Sequence, residues 1–251
     1  MSSSSVREVM FKKYQNKLFC FSPPVMIATC VIEVCLLAYT IWRYRLNTLS
    51  RLVVTTLGLL AVFQLAEFHV CRLSGNPALW SHVGYVAITL LPPLGIHIIH
   101  TIKGKRDPSL VIGAYLIAAA FVGWFVFSAH SLNGHQCLGN YVMFQVNPGL
   151  TDLYGLYYYG WVIVAISLSL RFAQQAKAKK QQQALYGVGF GLAAFLIPTT
   201  TANLLDKATL KGIPSIMCGF AVILAITLVG WVMPRVGKRR QSLSDTPVKP
   251  A

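Results

Sequence analysis

The stretch of sequence that decides the fold is LVIGAYLIAAAFVGWFVFSA, residues 110–129. It carries no charged side chain, and a helix of about 20 apolar residues is long enough to cross the roughly 30 Å hydrocarbon core of a bilayer. Other stretches of the same character occur along the chain. Together the predicted spans are residues 24–42, 52–70, 79–102, 110–129, 154–170, 185–205 and 213–233. The sequence therefore predicts an all-α, polytopic membrane protein with a bundle of seven transmembrane helices.

The composition agrees with a membrane protein and argues against a soluble one. Of the 251 residues, 55% are hydrophobic and 12% are charged, whereas about a quarter of a typical soluble domain is charged. The formal net charge is +15, which in a soluble protein would suggest nucleic-acid binding. Here the basic residues lie in loops and tails, and no basic-aromatic binding segment occurs. The expected partner is therefore the lipid bilayer and not nucleic acid.

The basic residues are distributed unequally between the two sides of the predicted bundle. One side carries 15 of the 22 Lys and Arg residues, in the linkers after the first, third, fifth and last spans. Because short cytoplasmic loops are enriched in Lys and Arg, the N-terminus is predicted outside and the C-terminus in the cytoplasm. The basic N-terminal tail is the exception to this asymmetry. Residues 1–23 are thus predicted to be an extracytoplasmic segment, 24–233 the seven-helix domain, and 234–251 a disordered basic cytoplasmic tail.

Aromatic residues near the span ends, among them Tyr154 and Tyr157, are predicted to form the interfacial belts. Cys20, Cys71 and Cys137 fall on the predicted outer side, the last of them in the longest outer loop. An oxidising exterior permits a disulfide, with Cys71–Cys137 the first choice and Cys20–Cys137 the second. Connectivity cannot be deduced from sequence, and unpaired thiols are the remaining alternative.

Ionisable side chains inside a span are the first candidates for a function, because placing them in hydrocarbon is costly. Glu33 lies near the middle of the first span, about 14 Å along it at 1.5 Å per residue. It must be protonated, paired or exposed to a wet interior. Two interpretations stay open: a neutral carboxyl bonded to a neighbouring helix, or a proton or ligand site.

A second polar group gathers at the outer ends of the second and sixth spans. Glu67 and His69 lie two residues apart and do not share a helix face, so they make a poor metal pair by themselves. Asn203 and Asp206 lie three residues apart. These four side chains, with Glu33 deeper in the bundle, are the predicted ligand-binding residues of an outward-opening pocket between helices. The alternative is contact with lipid headgroups and water.

The histidines give a weak signal for a metal or haem. His97 and His100 share a face near the cytoplasmic end of the third span, but the sequence offers no third ligand. Interfacial or interhelical hydrogen bonding is the alternative, and no cofactor or metal is predicted.

Prolines mark candidate hinges in two spans. Pro92 and Pro93 in the third span and Pro198 in the sixth remove backbone donors and are predicted to kink their helices. The sixth span also opens with three alternating glycines within residues 187–191, where small residues permit close helix approach.

Several segments carry a family resemblance. They are GYVAITLLPPLGIH at residues 84–97, and a run from Arg171-Phe172 through the basic, Gln-rich residues 177–183 to Tyr186-Gly187 and Asn203. The first resembles the third helix, and the second the run from fifth to sixth helix, of the seven-transmembrane sensor region at the front of many bacterial histidine kinases and diguanylate cyclases. The resemblance covers most of the chain and includes no catalytic signature. It implies a non-enzymatic sensor of a bacterial cytoplasmic membrane.

In that family the seventh helix leads into a cytoplasmic output domain, whereas here only residues 234–251 follow it. The expectation is a sensor or receptor-like module that binds a small or lipidic ligand and signals to a separate cytoplasmic partner, with a homodimer also compatible. One alternative is a small secondary transporter with Glu33 as its protonatable site, although no clear internal repeat supports it. The other is an intramembrane metal- or haem-dependent enzyme that uses the histidines.

Overall fold

The protein is α-helical, and the computed structural model describes residues 23–72, 76–104, 108–128, 131–137, 142–205 and 213–240. The main helices are α1 (Pro23–Arg43), α2 (Thr48–Arg72), α3 (Pro77–Thr89), α4 (Leu91–Lys103), α5 (Pro108–Phe127), α6 (Pro148–Gln175), α7 (Lys179–Leu205) and α8 (Ile213–Thr227). A π-helical turn (Leu228–Val232) and the short helix α9 (Met233–Val236) follow α8. Strands β1 (Leu132–Cys137) and β2 (Val142–Val146) lie between α5 and α6.

Five helical segments are long and apolar enough to cross a membrane, judged by length and composition. They are Met26–Arg43, Thr48–Val70, Pro77–Lys103, Pro108–Phe127 and Gly149–Gln175, and they coincide with the first five predicted spans. The residues predicted for the other two spans are also helical, in α7 and in the stretch from α8 to α9. The α-helical class is confirmed for the described residues, with a two-stranded hairpin as the exception, and the apolar helices are compatible with a membrane location.

Asparagine–proline pairs begin two of the helices. Asn76 accepts hydrogen bonds from the backbone N–H groups of Ala78 (3.1 Å) and Leu79 (3.3 Å), and Asn147 accepts one from Gly149 (3.1 Å). Each asparagine is followed by a proline at the first helical position, where an N–H group would have no partner within the helix. These caps fix where α3 and α6 begin.

The outer loop predicted between the fourth and fifth spans contains a β-hairpin. Leu132 pairs with Val146 in antiparallel register, and a bulge interrupts the pairing between Leu132 and His135. Gly134 lies in the bulge with a φ of 145°, a conformation that a side chain would strain. β1 packs against α2 and α3. The sequence did not predict this hairpin, because the residues of β1 (LNGHQC) lack the alternating apolar pattern of a strand.

The helices form a bundle in which α2 and α4 are central. α1 packs against α2 and α8, α2 also packs against α3 and α4, and α4 packs against α5, α6 and α7. Among the fully buried side chains that fill the centre are Leu57, Leu60, Phe63, Ile96 and Ile99. α1 and α5 expose apolar side chains on their outer faces, for example Leu116, which is 67% exposed. Such faces are expected in contact with lipid and are unusual in water.

One end of the bundle, called the basic end below, is the end at which α1, α4, α6 and α9 finish. There the backbone N–H of Arg45 donates to the carbonyl of Lys238 (2.8 Å), and that of Arg240 donates to the carbonyl of Arg43 (3.2 Å). Burial raises the pKa of the Tyr44 phenol at this junction, so the phenol stays neutral. Residues 234–240 were predicted to belong to the disordered tail. That boundary was wrong, because α9 and this backbone pairing attach them to the bundle.

Candidate functional site

Glu33 lies on the buried stripe of α1. Met26, Thr29, Glu33 and Thr40 are all buried, at the spacing of a single helix face. Glu33 is 0% exposed, and among the described residues neither of its carboxylate oxygens has a hydrogen-bond partner. The structure thus places this predicted site residue inside the protein and not at its lipid surface.

Glu67 lies on α2, which packs against α1. It is 1% exposed, and Gln64 one turn earlier is also buried. α1 and α2 are antiparallel, and Cα–Cβ bonds tilt toward the N-terminus of each helix, so Glu33 and Glu67 lean toward each other. Their carboxyl groups are near enough for their charges to interact. The Cys30 thiol, one turn before Glu33, donates to the carbonyl of Ala61 on α2 at 3.6 Å, which marks the level where the helices touch.

We refer to Glu33 and Glu67 as the carboxyl pair. Two carboxylates in one buried region repel each other, and each also loses its hydration. A proton on one of them, or a cation between them, removes most of that free-energy penalty. The pair can therefore change its charge state in response to a proton, a cation or a ligand that donates hydrogen bonds.

Tyr85 of α3 connects the carboxyl pair to the centre of the bundle. It is buried, and its phenol interacts electrostatically with Glu67. Its ring contacts the rings of Phe125 and Tyr154, with centroid distances of 5.0 Å and 5.6 Å. An aromatic cluster therefore extends from Glu67 to α6.

The third predicted span is interrupted near its two prolines. α3 ends at Thr89 and α4 begins at Leu91, just before Pro92 and Pro93. A proline at position 93 has no N–H to donate to the Thr89 carbonyl one turn earlier. The hydroxyl of Tyr157 on α6 donates to that carbonyl instead, at 2.6 Å. A neighbouring helix thus supplies the donor that the proline lacks, and the role of Pro92 and Pro93 as a hinge stays a prediction.

The side chain of Thr89 connects the α3–α4 break to two more residues, Tyr85 and Tyr154. Its hydroxyl donates to the carbonyl of Tyr85 at 2.6 Å and lies 3.0 Å from the hydroxyl of Tyr154. We call Thr89, Tyr154 and Tyr157 the tyrosine clamp. Tyr154 and Tyr157 are buried, so their predicted place in an interfacial belt was wrong. The clamp connects the α3–α4 break directly to Tyr85.

A small cavity lies beside the break. It has a volume of about 30 Å³ and is lined by Pro92, Gly95, Tyr158, Leu192, Leu224 and other mainly apolar residues. That volume holds about one water molecule, and apolar cavities of this kind stay dry. Space next to the break permits small movements of α4.

α4 connects the clamp to the basic end. The side-chain amide of Gln181, in the first turn of α7, donates to the carbonyls of Ile102 (2.7 Å) and Lys103 (3.2 Å). The Lys103 ammonium lies 3.6 Å from the centroid of the Phe172 ring on α6. A shift of α4 at the break would therefore reach the beginning of α7.

The other predicted site residues are only partly described. His69 stacks on Trp80 of α3, with a centroid distance of 4.3 Å and an interplanar angle of 9°. Asn203 belongs to the last turn of α7, but its side chain and all of Asp206 lie outside the described residues. Their convergence with Glu67 stays a prediction. Pro198 lies inside the continuous helix α7, and its role as a hinge is likewise a prediction.

The predicted disulfide also involves atoms outside the described residues. This applies to Cys20 and to the side chains of Cys71 and Cys137. The elements that carry the last two are neighbours, since β1 packs against α2. The described thiols, Cys30 and Cys35, are free cysteines.

The histidines of the third span contact two different helices. Nδ1 of His97 lies 3.3 Å from the Tyr115 hydroxyl on α5, whereas the His100 ring contacts Phe172 on α6 edge-on at 5.5 Å. Within the described ranges, no three His, Cys, Asp or Glu side chains come together as a metal site. The geometry here is that of interhelical packing.

The tyrosine clamp was not predicted from the sequence. Its signal was present, because two successive prolines must leave carbonyls without donors, and the fifth span contains a run of tyrosines at residues 157–159. No family model, curated protein or solved structure matches the chain. The carboxyl pair, the clamp and their connections are therefore the features that bear on function.

Proposed function

We propose that the protein is a seven-helix membrane sensor or receptor-like module whose responsive group is the carboxyl pair. The observation that carries the proposal is the burial of Glu33 and Glu67 close together between α1 and α2. Buried ionisable residues inside a membrane domain are expensive, and they are typical of functional sites. A proton, cation or small ligand that reaches Glu67 changes the electrostatic free energy of both side chains.

The signal passes from the pair to the basic end through a two-state element. The Tyr85 phenol interacts electrostatically with Glu67, its ring contacts Tyr154 of the tyrosine clamp, and the clamp lies at the α3–α4 break. A ligand that favours one position of Tyr85 therefore also favours one position of α4. Gln181 then transmits the position of α4 to α7 at the basic end.

The positive-inside rule supports the remaining parts of the proposal. With seven spans, the rule predicts the N-terminus outside and the C-terminus in the cytoplasm, so the ligand would enter near Glu67, with Asn203 and Asp206 as further contacts. The basic end then faces the cytoplasm, where its Lys and Arg side chains suit an acidic surface of a signalling partner. The resemblance to bacterial seven-transmembrane sensor regions agrees with this arrangement.

A second candidate function is a small secondary transporter with Glu33 as its protonatable site. It is favoured by one observation, the absence of hydrogen-bond partners for both Glu33 oxygens within the described residues. A group that takes up and releases protons benefits from such an uncommitted environment. Against it, the cavity beside the α3–α4 break has a volume of only about 30 Å³, and Glu33 is not among the residues that line it.

One experiment separates the two functions. Proteoliposomes loaded with a pH-sensitive dye report proton flux for the wild type, for Glu33→Gln and for Asp152→Asn, an exposed control on α6. The sensor predicts the same flux in all three, equal to that of empty liposomes. A flux that disappears in Glu33→Gln and persists in Asp152→Asn would establish the transporter instead.

The signalling part has its own test. Chemical crosslinking in native membranes should join the basic end to a cytoplasmic protein, and neutralising Lys238 and Arg239 should abolish that product. Crosslinking that is unchanged by the neutralised variant would remove the basic end from the proposal.

A further inference from the structure

A groove opens toward the lipid on the side of α7 and the π-helical turn, apart from the carboxyl pair. Tyr186 and Phe190 of α7 form one wall, and Ile226, Gly230 and Trp231 form the other. The volume is about 590 Å³, within the range of about 300–1,000 Å³ that is typical of small-ligand sites. Phe190 is 62% exposed, so this wall faces the membrane and not the bundle.

Two glycines and the π-helical turn create the space. A Cβ on Gly187 would lie 2.5 Å from Cδ1 of Trp231, so only glycine lets the edge of the indole approach α7 this closely. No atom lies within 4 Å of the position that a Cβ on Gly230 would occupy, so this glycine leaves the groove open. The indole N–H of Trp231 donates to the carbonyl of Gln183 at 2.9 Å, which fixes the ring. Single π-turns inside helices are frequent at functional sites.

A positively charged side chain, that of Arg235, lies where the groove approaches the basic end of the bundle. The Arg235 guanidinium stacks on Trp231, with its central carbon 3.4 Å from the ring centroid. Its Nε donates to Oε1 of Gln183 (3.1 Å) and its Nη1 to the carbonyl of Trp231 (2.8 Å). A guanidinium has five N–H donors, so others remain for an anion. Lys179 is exposed one turn before Gln183 on the same helix face.

We propose that this groove binds one anionic glycerophospholipid from the leaflet at the basic end. An acyl chain lies along Phe190, Ile226 and Gly230, and the phosphate meets the fixed guanidinium of Arg235. The positive charges of Arg235 and Lys179 favour an anionic headgroup. Arginine binds phosphate through parallel N–H donors, and clustered basic residues near the membrane surface attract anionic lipids. A zwitterionic lipid gains the same apolar contacts but brings an ammonium group toward Arg235 and Lys179. Phe190, Ile226 and Gly230 serve no part of the sensor mechanism, so the two proposals can fail separately.

Native mass spectrometry of the purified protein, offered phosphatidylglycerol and phosphatidylcholine in equal amounts, tests the proposal. The wild type should retain one phosphatidylglycerol in preference to phosphatidylcholine. Gly230→Leu fills the groove and should lose that adduct, whereas Gly123→Leu on α5 should keep it, since no atom lies within 4 Å of that Cβ position either. Arg235→Gln should lower the preference for phosphatidylglycerol about fivefold, the value of one basic residue at the membrane surface.

Phe190→Ser is a second variant, which removes the exposed wall without adding volume and should show the same loss as Gly230→Leu. Equal retention of the two lipids by the wild type would overturn the proposal. So would a Gly230→Leu spectrum identical to that of the wild type. A wild-type dimer that becomes monomeric in Gly230→Leu would show that a second copy of the chain, and not a lipid, covers the groove.

Discussion

Replacing Tyr157 with phenylalanine should destabilise the protein by about 1–1.7 kcal/mol. The change keeps the ring and removes the hydroxyl that donates to the Thr89 carbonyl at 2.6 Å. Because Pro93 has no N–H and Tyr157 is only 6% exposed, that carbonyl is left without a donor in apolar surroundings. An unsatisfied buried group costs about 1–3 kcal/mol in soluble proteins. Side-chain hydrogen bonds in membrane proteins average about 0.6 kcal/mol and reach about 1.7, so the expected loss lies where the two ranges overlap.

A double-mutant cycle tests whether the cost of losing the Tyr157 hydroxyl depends on the missing N–H of Pro93. Pro93→Ala supplies a backbone N–H that can bond to the Thr89 carbonyl within a continued helix. In that background the Tyr157→Phe change should cost about 1 kcal/mol less than in the wild type, because the carbonyl has a second donor. The free energy of unfolding can be measured by titrating mixed micelles with a denaturing detergent while following helical circular dichroism.

Tyr39→Phe is the matched control for this cycle. Tyr39 is exposed, and its ring contacts Trp42 and Tyr44, contacts that phenylalanine keeps. Removing the Tyr39 hydroxyl should leave the free energy of unfolding within about 0.5 kcal/mol of the wild-type value. A Tyr157→Phe protein as stable as this control, or a strictly additive cycle with Pro93→Ala, would refute the clamp.

Two further predictions concern the packing of α7. Gly191→Ala should destabilise by about 1–3 kcal/mol, because the new Cβ would lie 2.8 Å from Cδ1 of Leu224. Gly160→Ala, where no atom lies within 4 Å, should be neutral or stabilising in the same detergent titration. Gln181→Ala removes the side-chain amide that donates to the last carbonyls of α4, so amide hydrogen exchange at the end of α4 should become faster. Alanine at the exposed Gln175 is the control and should leave that exchange unchanged. Equal exchange in these two variants would argue against the α4–α7 connection.

Much of the fold could be predicted from the sequence because the bilayer simplifies the problem. A span must be apolar over its whole length, so residues 110–129 predict α5 without any knowledge of its neighbours. The helix starts at Asn76-Pro77 and Asn147-Pro148 are likewise local signals. The β-hairpin was not predictable in this way, since its register depends on a bulge at Gly134 and on packing against α2 and α3.

The site could be predicted only one residue at a time. Glu33 and Glu67 were identified separately, because a charged residue within an apolar run is conspicuous by itself. Their proximity depends on which faces of α1 and α2 meet, and the uniformly apolar outer face of α1 gives little indication of that. The role of Tyr157 depends on a carbonyl 68 residues away in sequence, which no local pattern specifies.

If the protein is a sensor of the proposed kind, the carboxyl pair is coupled to α4. The most direct test is hydrogen exchange of the α4 amides near Ile102 in the wild type, in Glu33→Gln and Glu67→Gln, and in the control Asp152→Asn, all in the same lipid nanodiscs. Both glutamine variants should change the exchange at the basic end, and Tyr85→Phe should reduce this change, while Asp152→Asn should match the wild type. Exchange at the end of α4 that is identical in the wild type, Glu33→Gln and Glu67→Gln would contradict this coupling.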